Sequence, residues 1–220
     1  YNARMNVTAK IAHNLKFEAG ISGNIQQRHQ PVYSADPDDW NNVAQQAMRV
    51  HPYIPEYVTI DGTSYHAATS TASATVNPVA AYQESGYSKN NGTKIETNAG
   101  LTYSFPFIEG LSAKVFGAYD LGFTHTKRLS TPYELALANF QYSPEGYISG
   151  INYTVSQTYS GLGSQNSLQE AAYYSSYANV QTSLNYDRTF GKHHIGALTL
   201  WEIRENKSNN FYAQGYDIPF

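Results

Sequence analysis

Between positions 93 and 105 the chain reads TKIETNAGLTYSF. Thr93, Ile95, Thr97, Ala99, Leu101, Tyr103 and Phe105 alternate with Lys94, Glu96, Asn98, Gly100, Thr102 and Ser104. A period of two, one set mostly apolar and the other polar or glycine, predicts a β-strand between two unlike environments. The same pattern opens the chain. Tyr1, Ala3, Met5, Val7, Ala9 and Ile11 alternate with Asn2, Arg4, Asn6, Thr8 and Lys10. After a tight turn at 12–14, Leu15, Phe17, Ala19, Ile21 and Ile25 alternate with Lys16, Glu18, Ser22, Asn24 and Gln26, which predicts a hairpin. The strand at 93–105 is lengthened at its start by KNNG and closes on the turn FPFIEG. A fourth strand follows from 111 to about 126, with Leu111, Ala113, Val115, Tyr119, Leu121 and Phe123 on one face. A fifth runs from about 174 to 190, with Ala178, Val180, Leu184, Tyr186 and Phe190 alternating with polar residues and Arg188 interrupting the apolar face. After the turn FGKHH a sixth runs from about 194 to 207, where Leu198 and Leu200 share a face with Glu202 and Arg204.

The connections between these strands are alternately short and long. The long links are 27–89 and 127–173. The first contains DPDDWNNVAQQAM, with Asp36 placed as an N-cap, Pro37 at the first helical position, and Asp38 and Asp39 at the positive end of the dipole. Trp40, Val43, Ala44 and Ala47 form a stripe at helical spacing, so a helix is expected near 37–49, ended before Pro52. The stretch 69–81 carries no clear signal. Strands of a soluble sandwich are commonly about 5–6 residues long. A transmembrane barrel strand needs about 9–11 residues. Short turns on one side and long loops on the other are the normal asymmetry of outer-membrane barrels. The expectation is therefore an all-β protein, an antiparallel transmembrane β-barrel segment of about six long strands, with 27–89 and 127–173 as long extracellular loops. A soluble sheet would instead bury the apolar faces in a core.

Composition sharpens this picture. Charged residues make up 14% of the 220 residues, below the usual level of about 25%, yet mean hydropathy is −0.50. The polarity comes from neutral side chains and 20 Tyr, an amphipathic residue suited to membrane interfaces. A net charge of −3 with no basic run argues against nucleic-acid binding. The absence of Cys removes disulfides, thiol nucleophiles and cysteine-ligated zinc. No stretch approaches the roughly 20 apolar residues of a membrane-spanning helix. The chain opens within a strand and without a signal peptide, so it is expected to be a segment of something longer.

The stretches YNARMNVTAKIAHNLKFEAGISGN, HPYIPEY, LTYSFPFIEGLSAKVFGAYD, TKRLSTPYEL and SLNYDRTFGKHHIGALTLWE, in this order, resemble the barrel region of SusC/RagA-type TonB-dependent transporters. The similarity is specific in the FPFIEGLSAK and LNYDRTFGKHH turns. It implies residence in the outer membrane of a Gram-negative bacterium, in a barrel of about 22 strands around an N-terminal plug. It further implies a SusD-like surface lipoprotein as lid, and import of oligosaccharides or peptides driven through TonB. Nothing in the chain resembles a TonB box or a plug. About six strands also fall short of the roughly eight that close the smallest barrels. The remaining strands, the plug, TonB and the lipid bilayer are thus the implied partners. Alternatives are an outer-membrane β-barrel enzyme and a soluble surface β-adhesin. No Ser, His and acid cluster can be assembled, so no enzyme, cofactor or metal site is expected.

Candidate chemistry is thin. His193 and His194 are adjacent, but a wet turn explains them better than half a metal site. The DPDDW carboxylates lack the glycine and distal glutamate of a calcium loop. GLGSQNS lacks the Lys of a phosphate loop. The residues singled out for substrate or partner contact are Trp40, Tyr53 and Tyr57, in or beside the loop helix. Packing of the loop onto itself accounts for them equally well.

Overall fold

The computed structural model describes residues 1–32, 47–69, 77–157 and 165–218. It is all-β, with strands β1 (Asn2–Ala12), β2 (Leu15–Pro31), β3 (Tyr57–Ile60), β4 (Thr63–Ala68), β5 (Gly86–Ser104), β6 (Leu111–Ser130), β7 (Glu134–Tyr142), β8 (Ile148–Gln157), β9 (Ser167–Phe190) and β10 (His193–Tyr216). One short helix, Pro78–Glu84, precedes β5. No helix among the described residues is long and apolar enough to cross a membrane, which says nothing of crossing by strands.

Strands β1, β2, β5, β6, β9 and β10 form one sheet in that order. All six strands expected from alternation are present, and five run longer than their patterns suggested. β1 and β2 pair antiparallel, Asn2 opposite Asn24 and Ala9 opposite Phe17, with an irregularity between Lys10 and Ala12. Short turns join β1 to β2, β5 to β6 and β9 to β10. The Ser104 amide donates to the Asn14 carbonyl at 2.9 Å, and the Asp187 amide to that of Gly110 at 2.9 Å, so the turn ends of these strands adjoin. Gly110 is obligatory: its φ is +87°, and a Cβ there would lie 2.3 Å from the Asp187 carbonyl oxygen. Arg188 is paired with Glu109 at 2.8 Å and lies over the Phe190 ring.

The chain divides into two compact units. The first comprises Tyr1–Gln27, Asn91–His125 and Ala172–Phe211. No apolar residue described in it is buried. Its apolar face is exposed instead: Ile95 is 40% accessible, Leu184 42%, Val115 53% and Trp201 59%. Ile11, Ile21 and Leu101 are exposed likewise, while Phe17 is half-buried.

The second unit comprises Arg28–Asn90, Thr126–Ala171 and Tyr212–Phe220, and here the sequence reading changes. The links expected to be loops contain four strands, in the order β3-β4-β7-β8, with β4 and β7 parallel. Asp61 and Gly62 both have positive φ, 51° and 82°, the two-residue turn that matches strand twist in a hairpin. A second hairpin joins β7 to β8 through residues 143–147, with Ala138 opposite Tyr153. The sheet is covered on both faces. Ala68, Leu135 and Leu137 pack with Ala80 of the helix and Tyr133. Ala67, Ala138, Phe140, Ile151 and Tyr153 pack with Ile54 on the other side. The helix exists because Asn77 caps it: its Oδ1 accepts from the Val79 and Ala80 amides at 2.9 and 3.2 Å, and Pro78 follows at the first position. Most of the helix expected near 37–49 lies outside the described residues; Ala47, Met48 and Arg49 are helical.

Candidate functional site

The hollows of the first unit open on its polar face. Alternation places the even residues of β1, β2, β5 and β6 and the odd residues of β9 together on this face. The register puts Arg4 opposite Ser22. The Ser22 hydroxyl donates to Glu96 at 2.9 Å, and Glu96 is also paired with Lys94. Nearer the turns, Glu18 is paired with Lys16 at 2.6 Å and approached by Lys114 at 3.9 Å. On β9 and β10, Glu202 accepts from Arg204 and Gln181 at 2.6 Å each and from Asn179 at 2.9 Å. These contacts settle the facing of β10. Glu202 points to the polar side, so Leu198 and Leu200 share that side, and Ile195, Trp201 and Ile203 take the other.

Two adjoining hollows of about 430 and 330 Å³ open on this face. Lys94, Gly122, Tyr173 and Ser175 line both. Arg4, Asn24, Gln26, Glu96 and Thr124 are among the other residues of the larger one, and Asp120, Tyr177, Asn206, Lys207 and Ser208 among those of the smaller. Charges therefore run in alternating sign, Asp120, Lys94, Glu96, Arg4, from β6 to β1. Such a surface offers hydrogen bonds and balanced charge to a hydrated solute or a polar protein surface. Among the described residues no three His, Cys, Asp or Glu side chains form a group that would hold a metal.

Of the expected contact residues, Tyr53 and Tyr57 belong to the second unit. Trp40 is outside the described residues. Tyr53 stacks on His51, centroids 5.3 Å apart, and meets Phe140 edge-on at 5.8 Å. Tyr57 lies opposite His66 in the β3–β4 register, rings 4.3 Å apart. His66 in turn aligns with Leu135, whereas Phe140 belongs to the alternate set with Ala138, so Tyr53 and Tyr57 flank opposite faces of the small sheet. They form no common aromatic platform. Partial desolvation, then the Glu56 and Glu84 carboxylates, push the Tyr57 phenol above its ordinary value. His66 is buried, with Nε2 3.2 Å from Glu84, and ties β4 to the helix. At the turn, His194 lies 3.6 Å from Asp187 and 3.2 Å from the Thr189 hydroxyl.

The sequence reading assigned Lys94 and Glu96 to a wet face but missed Tyr173 and Ser175. Its fifth strand started at about 174 and its polar set at Asn179, so Tyr173 fell outside the strand and Ser175 was given no face. No protein-family model matches the chain, and no curated protein matches it.

Proposed function

We propose that this chain forms part of the wall of an outer-membrane β-barrel transporter of the SusC/RagA type, importing oligosaccharides or peptides beneath a SusD-like lipoprotein lid. The single observation that carries the membrane part is the inverted unit: an exposed face that is largely apolar, an opposite face that carries the ion-paired polar side chains, and no buried apolar residue described in between. In water such a surface has no stabilising core, because exposed apolar area contributes nothing until it leaves solvent. In hydrocarbon the same surface is satisfied, and the polar face meets a wet lumen. The transporter class rests on the resemblance of the FPFIEGLSAK and LNYDRTFGKHH turns. A soluble adhesin would need both faces of these long strands covered or wetted.

Fractionation of cells expressing the protein that carries this chain tests the reading. The protein is expected in the detergent-resistant outer-membrane fraction, with a gel mobility that changes on boiling, as intact barrels behave. Recovery in the soluble fraction without detergent would sink it.

A further inference from the structure

On the reading of this chain as a barrel wall, we infer that the larger hollow on its polar face is a subsite for an acidic sugar, a hydroxyl-rich solute bearing one carboxylate, with Arg4 as its anchor. The position comes first. β1 and β5 run to and from the short turns; Arg4 lies in the half of β1 remote from its turn, and Lys94 and Glu96 flank the midpoint of β5. The hollow therefore stands about midway along the wall, on the path of a solute that crosses it. Its volume of about 430 Å³ falls in the range of small-molecule sites, roughly 300–1,000 Å³.

Charge comes second. Glu96 is in contact with Lys94 and the Ser22 hydroxyl and interacts with Arg4 only at longer range, so Arg4 is the cation of the hollow with no contact ion pair among the described residues. A guanidinium presents a planar fork that fits a carboxylate through two parallel hydrogen bonds. A dianion is a poorer match, since Glu96 stands in the same hollow and repels the second charge. Hydrogen-bonding capacity comes third. Asn24, Gln26, Thr124 and Ser175 line the hollow and spend no side-chain hydrogen bond on any other described residue. Their amides and hydroxyls complement a ring of hydroxyls, and Tyr173, 45% exposed, offers an apolar ring edge or face.

The test is equilibrium binding to the full protein purified in detergent, with trigalacturonate and a sialylated trisaccharide as acidic probes. Galactotriose serves as the neutral control, and trialanine as a peptide carboxylate. At least one acidic sugar is expected to bind roughly tenfold or more tightly than galactotriose, an advantage that added salt reduces. Arg4→Ala is expected to erase that advantage, Arg4→Lys to keep part of it, and both variants to retain the boiling-dependent mobility of a folded barrel. Equal binding of acidic and neutral sugars, no binding of either acidic sugar, or an undiminished preference in a folded Arg4→Ala protein overturns the inference. Trialanine binding more tightly than both acidic sugars overturns the sugar and assigns the anchor to peptides. All of these outcomes leave the barrel reading standing, because that reading fails in fractionation and not in this assay.

Discussion

Leu184 and Asn185 are neighbours in β9 that face opposite solvents, and both are exposed. On a water-soluble sheet, arginine at either position costs within about 0.5 kcal/mol of nothing, as exposed substitutions usually do. In a membrane wall the two must diverge. Leu184→Arg at mid-depth is expected to cost about 2–4 kcal/mol, and Asn185→Arg close to zero. Denaturant titration of the protein folded into lipid vesicles measures both, and equal small costs would remove the membrane face. In the second unit the decisive residue is Asn77, buried to 3% exposure. Its Oδ1 caps the helix, and its Nδ2 donates to the carbonyls of Ala67 and Glu56 at 2.9 and 3.2 Å. Asn77→Ala removes all four bonds and orphans the buried Ala67 carbonyl. A loss of about 2 kcal/mol is expected, read as faster amide exchange in 78–84, whereas Ser at this position restores the cap and not the bridge. Unchanged exchange in Asn77→Ala would mean that packing of Ala80 alone holds the helix.

At the scale of elements, the long amphipathic strands were legible because each keeps one polar and one apolar face over more than ten residues. The small sheet was not, although its turn was written plainly. YVTI-DG-TSYH is a hairpin signal in its own right, with Asp-Gly between two β-rich runs. It was hidden because β3 and β4 are short, and because β4 and β7 are buried on both faces where they pair, so Ala67, Ala68, Ala136 and Ala138 show no alternation. Ends of the long strands were missed where polar residues occupy both faces, as in 207–210. The polar hollow was half-legible. Single-strand alternation reveals which face a residue takes but not which residues of other strands stand beside it, and Tyr173 enters only through the β6–β9 pairing. The links thus carry structure, and their tips remain testable. The β7–β8 turn holds Glu145 and the exposed Tyr147. A protease recognition site inserted at 144–146 is expected to be cut on intact cells, and the same site at 107–109 only after lysis. Cutting at 107–109 on intact cells would invert the assigned sidedness.

At the scale of the molecule, the six-stranded sheet ends on β1 and β10, each with one neighbour among the described residues. Every residue of β1 is exposed, and almost every one of the 24 in β10. Along an antiparallel edge, alternate N–H and C=O pairs point away from the sheet. Soluble proteins blunt such edges with proline, bulges or short strands, and β10 contains no proline and is far from short. In hydrocarbon the cost is decisive, because each unpaired backbone group is worth several kcal/mol and a strand of this length exposes about one per residue. The membrane reading therefore commits both edges to further antiparallel strands. Amide exchange distinguishes the two situations. A true edge protects every second amide of 193–216, those turned toward β9, and leaves the intervening ones fast. A strand continued on both sides protects consecutive amides alike. In the full protein inserted in lipid, consecutive protection is expected through the membrane-embedded part of β10, and likewise through 2–12. A two-residue periodicity in those rates would show free edges, and with them a sheet that cannot reside in a bilayer.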